Sequence, residues 1–195
     1  YTTVIRHPIA ESIVRKVTRN RPLTLSSYVS SRKPFGLATT VRPDKVGDIL
    51  LRYKDGIGKY DSKKVPTGHA NIAKWKVMIS RLSAEHAGQP DKNGQYRVLS
   101  TLEILPPRTI CTETYLIAGC FEREAEAKNY ANYLRCKFVR FLIAQIAMTQ
   151  QITKSVFGFV PVQDWKTTWT DAELYAKYNL TQEEIDFIES MIKPM

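Results

Sequence analysis

The sequence predicts an α+β fold, on three observations. Between Leu23 and Leu105 the apolar residues come in short β-type runs separated by turn residues, with no helix-length segment between them. From about Arg123 to Thr149 the pattern changes to one long amphipathic stripe. From Trp169 onwards two helix-start signatures follow in close succession. Strands in one half and helices in the other imply a curved mixed or antiparallel sheet, an N-terminal helix, one long packing helix and two short C-terminal helices. Residues 1–165 are expected to form the main domain, and 166–195 a helical extension packed on it.

The N-terminal helix is expected from Pro8 to Arg19. Proline suits a first turn, and Ile9, Ile13 and Val17 recur every fourth residue until Arg21-Pro22 stops them. Arg15, Lys16, Arg19 and Arg21 gather at its C-terminal end, where they favour the helix dipole or meet a phosphate. Gly47–Tyr53, Ile72–Ile79 and Tyr96–Leu105 read as strands, with Lys54-Asp-Gly-Ile-Gly58 as a hairpin connection. Ala87-Gly-Gln-Pro-Asp-Lys-Asn-Gly94 has the composition of an exposed loop, and Thr109–Ala118 that of a central strand. In the long helix, Ala127, Ala131, Leu134, Phe138, Phe141 or Leu142, and Ile146 form the apolar stripe. Gln145, Gln150 and Gln151 lie at its end, as plain helix-end residues or facing nucleic acid. Thr170-x-x-Glu173 and Thr181-x-x-Glu184 are capping boxes, flanked by the staple pairs Trp169 with Leu174 and Leu180 with Ile185. Two short helices invite a helix-turn-helix reading, but Glu183, Glu184, Asp186 and Glu189 on the second would repel phosphates.

Hydrophobic content of 43% and charged content of 25% are ordinary for a soluble domain of 195 residues. No apolar run approaches the ~20 residues that span a bilayer, so no membrane partner is expected. Three cysteines, Cys111, Cys120 and Cys136, have no CxxC spacing, which argues against a zinc site or a disulfide framework and for a reducing, cytoplasmic setting. Net charge is +10, unevenly spread. Residues 1–100 hold 19 Lys/Arg against 7 Asp/Glu, whereas 101–195 hold 10 against 12. A basic half joined to a near-neutral one suggests a face built to meet a polyanion.

The densest basic and aromatic stretch runs from Arg52 to Lys64 and on to Lys76. It offers Arg52, Lys54, Lys59, Lys63, Lys64, Lys74 and Lys76 as charges, with Tyr60, His69 and Asn71 as hydrogen-bonding groups. Lysines suit phosphates, while Asn71 and Arg52 suit adenine and guanine edges. A lysine-protected edge strand is the structural alternative, and Trp75 reads as core. Arg32-Lys33-Pro34-Phe35-Gly36-Leu37 is a second basic–aromatic knot, where proline stiffens the chain and glycine permits close approach.

Two further segments carry a family resemblance. Asn132-Tyr-Leu-Arg-Cys-Lys-Phe-Val-Arg-Phe-Leu-Ile-Ala-Gln145, followed by Val156-Phe-Gly-Phe-Val-Pro-Val-Gln-Asp-Trp165, resembles the C-terminal target-recognition region of adenine-specific DNA methyltransferases from restriction–modification systems. Lys33-Pro-Phe-Gly-Leu37, Ile110-Cys-Thr-Glu-Thr-Tyr-Leu116, and Trp169 through Met195 fit it in the family's order. The resemblance implies double-stranded DNA as partner, with Arg32 and Lys33 opening the recognition region. It also implies a separate catalytic methyltransferase domain that binds S-adenosylmethionine. Such a domain carries an (Asp/Asn)-Pro-Pro-(Tyr/Phe) loop, and here the one Pro-Pro is Leu105-Pro-Pro-Arg108. Gly56-Ile-Gly58 lacks the third glycine of a cofactor turn. This chain, starting at Tyr1, is therefore expected to be the non-catalytic part of a type II enzyme, itself without cofactor; a parent with or without a fused nuclease fits the resemblance equally.

The alternatives are a stand-alone nucleic-acid-binding specificity module and a metal-dependent nuclease. Pro90-Asp91 with Glu126-Ala-Lys128 matches the letters of a nuclease site, but that chemistry needs Glu and Lys on a strand beside the Asp. Glu126 lies in a helix-forming segment. A Cys–His pair would need one of the three cysteines beside His7, His69 or His86, and all three lie in apolar surroundings.

Overall fold

His7 opens the first helix: its ring accepts the Ile9 N–H at 3.2 Å, and Pro8 fills the first turn. Helix α1 runs Pro8–Thr18 and buries Ala10, Ile13, Val14 and Val17, the face that the apolar period marks out. The computed structural model describes residues 5–82, 90–147 and 151–195. Gln150, His86 and the first residues of the 87–94 loop lie outside them.

Six strands follow: β1 Ile49–Tyr53, β2 Gly56–Tyr60, β3 Trp75–Ser80, β4 Leu102–Leu105, β5 Thr109–Cys111 and β6 Tyr115–Phe121. The expected sheet divides in two. A mixed sheet has the order β2-β1-β5, antiparallel between β1 and β2 and parallel between β1 and β5. An antiparallel sheet has the order β4-β3-β6, with a register shift at Val77/Met78 that adds twist. The apolar run expected as one strand from Thr109 to Ala118 is split by a turn at Thr112–Thr114, so β5 and β6 enter different sheets. Two clusters form the core, and the antiparallel sheet contributes one face to each. Leu51, Tyr60, Ile110, Met78 and Ile117 belong to the smaller one, and Val77, Ile79, Leu116 and Ala118 join the helices in the larger.

The expected long helix is two: α2 Glu124–Arg135 and α3 Lys137–Ala144. Cys136 leaves the helical region at φ −56°, ψ 140°, while the apolar stripe continues across the break, with Ala127, Ala131, Leu134, Phe138, Phe141 and Leu142 all buried. The break is stable because α3 acquires a cap from elsewhere in the chain. The Asp171 carboxylate accepts the N–H groups of Lys137 at 3.2 Å and Phe138 at 2.9 Å, which no intrahelical partner reaches. Asp171 itself opens α4 (Asp171–Lys177), and α5 (Gln182–Met191) begins with the full Thr181/Glu184 capping box. Leu174, Tyr175, Ile188 and Ile192 enter the same cluster as Phe138, so the C-terminal helices share the main core.

Phe138 is fully buried, stacked on Tyr178 at 5.3 Å between ring centroids. Phe138→Ala should cost about 3–5 kcal/mol in denaturant unfolding, and Lys63→Ala, at an exposed turn, should leave the midpoint nearly unchanged. Asp171→Ala, which uncaps α3, should cost about 1–2 kcal/mol; wild-type stability in that variant would remove the interhelical cap as the reason for the break.

Candidate nucleic-acid interface

The mixed sheet presents a narrow ribbon. β1 and β2 are joined by Lys54 and Asp55 alone, with Tyr53 opposite Gly56. Strand alternation turns Ile49, Leu51 and Tyr60 into the core and leaves Leu50, Arg52, Ile57 and Lys59 on the other face. On that face Leu50 is 41% and Ile57 56% exposed, an unusual placement for large apolar side chains. Lys54 and Lys59 flank them, exposed and without an ion-pair partner among the described residues.

The chain then folds back along the base of the ribbon. Asp61 caps a short 3-10 turn at Ser62–Lys64 by accepting the Lys63 N–H at 2.9 Å. Asp48 anchors the turn by accepting the Ser62 N–H at 2.8 Å and its hydroxyl, and these bonds lower the Asp48 pKa. Lys63 projects freely. A second 3-10 turn, His69–Asn71, is tied back by the His69 Nε2 contact with the Val65 carbonyl at 2.7 Å. Between these turns lies a cleft of about 480 Å³ lined by Asp48, Ile49, Ser62, Lys63, His69, Ile72, Ala73 and Arg108.

The structure also brings the two basic segments together. Gly36, at φ +75°, lies so close to Pro66 that a Cβ there would sit 2.9 Å from the proline Cβ. Gly68, at φ +77°, has the Pro34 carbonyl 2.5 Å from where its Cβ would be. The Arg32–Leu37 knot thus packs against the loop that precedes His69, with Phe35 buried beneath and Lys33 exposed.

Residue by residue, the sequence-derived site divides. Lys33, Lys54, Lys59 and Lys63 are exposed and carry no ion pair among the described residues. Lys64 holds both Asp44 carboxylate oxygens at 3.0 Å, which raises its pKa. Arg32 bonds Glu113 at 3.0 Å, and Lys74 lies 3.8 Å from Glu122. Three assignments change. Arg52 is 16% exposed and pairs through Nε and Nη2 with both Glu103 oxygens at 3.1 and 3.0 Å, beneath the Tyr115 ring; the Glu103 bond raises its pKa and leaves no free edge for a base. Tyr60 is buried in the smaller core. Lys76 is fully buried, its ammonium donating to the carbonyls of Asn71 (3.1 Å), Ile72 (3.0 Å), Lys74 (2.6 Å) and Pro106 (3.4 Å). It is a structural cation, out of reach of phosphate. Asn71 is half-buried and gives its carbonyl to that cage.

Sequence reasoning missed Arg108, Asp48 and Ser62. The signal for Arg108 was the Pro-Pro pair before it, which reads only as a failed catalytic loop. Half of the N-terminal basic cluster is consumed by the fold: Arg15 pairs with Glu11 at 2.6 Å, and Lys16 holds Glu184 and the Asn179 carbonyl, while Arg19 and Arg21 are exposed. Gln145 bonds the Phe141 carbonyl at 3.0 Å, at its own helix end. Glu126 and Lys128 lie on α2, where Lys128 pairs with Glu124 at 3.1 Å, and Asp91 is capped by Asn93 and Gln95 and paired with Lys193. Burial pushes the pKa of all three thiols up, that of Cys136 to about 12, so they rest as unreactive thiols. No described helix is long and apolar enough to cross a membrane. No protein-family model, curated protein or solved structure matches the chain.

Burial pulls the Lys76 ammonium from the usual 10.5 down to about 8. Between those values the unfolded chain holds more protons than the folded one, so the Lys76 contribution to stability should rise with pH through about 8 to 10.5 and be level below. Thermal melts across that range should show the rise in the native chain and lose it in Lys76→Met. Parallel curves for the two would overturn the assignment.

Proposed function

We propose that this chain is a duplex-DNA recognition domain, the part of a restriction–modification adenine-N6 DNA methyltransferase that grips and reads the target site. A separate catalytic domain, holding S-adenosylmethionine, would flip the adenine out of the stack and methylate it. The reading is supported above all by the slim β1–β2 ribbon, whose exposed face sets Leu50 and Ile57 among the unpaired Lys54, Lys59 and, at its base, Lys63. The B-DNA major groove, about 12 Å wide, admits a two-stranded ribbon, and exposed aliphatic side chains suit the thymine methyl groups on its floor. Lysines on flexible stems suit the phosphates along its walls. The Arg32–Leu37 knot packs beside the same region, as the family resemblance requires of the segment that opens the recognition half. Free thiols fit a cytoplasmic enzyme.

If Lys33, Lys54, Lys59 and Lys63 each meet a phosphate, log affinity for duplex DNA should fall with log salt at a slope of roughly −4. Fluorescence anisotropy at several salt concentrations measures it. Lys54→Ala, Lys59→Ala and Lys63→Ala should each lower the slope by about one unit. A flat salt response, or tighter binding to structured RNA than to duplex DNA, would overturn the proposal.

A further inference from the structure

Three features meet in Arg108, of which the exposed Lys33 shares only the first, at φ +57°. The Arg108 backbone sits at φ +65°, in the left-handed region that side-chain-bearing residues rarely adopt, a strain that recurs at ligand clamps. That conformation is held from both sides: its N–H donates to the Ile72 carbonyl at 2.7 Å, and its carbonyl accepts the Leu50 N–H at 2.8 Å. The side chain is 64% exposed, yet it is anchored, because Nη2 donates to the Asp48 carbonyl and lies 3.9 Å from the Asp48 carboxylate.

A guanidinium has five N–H donors arranged as two parallel pairs, one formed by Nε with Nη2 and one by Nη1 with Nη2. A single bond from Nη2 uses one of its two hydrogens, so one complete pair of donors stays free. Arg52 has no such pair left after Glu103 and the Tyr53 carbonyl are served. A pinned, two-donor fork matches the O6 and N7 acceptors of guanine in the major groove. Lys63 lines the same cleft with a flexible single charge, suited to the adjoining phosphate.

We propose that Arg108 reads a guanine edge in the recognised duplex, the role that residue type alone assigns to Arg52. This rests on the duplex-DNA reading above, and the test separates the two. The chain and its Arg108→Lys variant are each selected on a random duplex library, and the bound fraction is sequenced. Lysine keeps the charge and the backbone demand but lacks the fork. The native chain should enrich guanine at one position, roughly tenfold or more over other bases, and Arg108→Lys should lose that enrichment with its salt slope unchanged. The native chain on a library built with 7-deazaguanine, which lacks the N7 acceptor, should lose it as well, without any change to the protein.

Guanine enrichment kept in Arg108→Lys, whether or not binding weakens equally on all sequences, would make Arg108 a phosphate contact at most and overturn the inference. So would a lower melting temperature with unchanged preference, the mark of a structural anchor, or a native chain that binds duplex without favouring guanine anywhere. No duplex binding by the native chain would overturn the domain assignment itself.

Discussion

One buried ammonium joins the two sheets and the turn that lines the cleft. Lys76 belongs to the antiparallel sheet, but the carbonyls that hold it come from the turn before β3 and from Pro106 in the connector that leads into β5 of the mixed sheet. An ion of this kind costs several kcal/mol to bury, and only converging dipoles offset that. Three protons shared among four acceptors form such a cage. The same charge lets the four carbonyls converge; an apolar side chain would leave them facing one another unpaired. The Ile72 carbonyl in the cage also accepts the Arg108 N–H, so the cage sets the backbone on which the cleft is built.

The helical layer uses the same device. Arg140 is fully buried with no carboxylate in an ion pair with it among the described residues, and donates to the carbonyls of Arg135 at 3.0 Å, Arg97 at 3.3 Å and Lys193 at 2.7 Å. It ties together the end of α2, the segment before β4 and the C-terminal tail, which also pairs Tyr96 with Ile192. Burial lowers its pKa to about 10, still high enough to keep the guanidinium charged at neutral pH. With Asp171 capping α3, these bonds weld the last two helices to the main core. The tail after Trp165 is therefore part of the scaffold that holds the ribbon.

Local chemistry was legible in the sequence and long-range chemistry was not. Pro8 and the fourfold spacing after it marked α1, the Lys54–Gly58 segment marked the hairpin although Gly56 to Gly58 belong to β2, and Thr181 with Glu184 marked the start of α5. Each of these signals lies within a few residues of what it specifies. The break at Cys136 depends on Asp171, 34 positions beyond Lys137, and the split of β5 from β6 depends on which sheet each strand finds. Periodicity cannot register either. The site followed the same rule: residue type marked the basic stretch, but burial of Lys76 and capture of Arg52 by Glu103 arise only when distant segments meet.

What a basic composition can do therefore depends on which charges the fold consumes. Lys76 and Arg140 are spent inside, while Arg15, Lys16, Arg32, Arg52 and Lys64 each face a carboxylate. Exposed pairs of this sort contribute little stability, and at a distance their fields nearly cancel. Around the ribbon and its base, Lys33, Lys54, Lys59 and Lys63 are exposed and face no carboxylate in an ion pair among the described residues. Four mobile ammonium groups can hold a polyanion but carry no information about its sequence, because each accepts any phosphate within reach. Reading needs a donor whose direction is set before the ligand arrives. Among the cations of the cleft only Arg108 meets that condition, with backbone and guanidinium both pinned to β1 and its approach. Grip and discrimination thus fall to different residues for a physical reason: orientational freedom lets a lysine follow any backbone, and its absence lets an arginine refuse the wrong base.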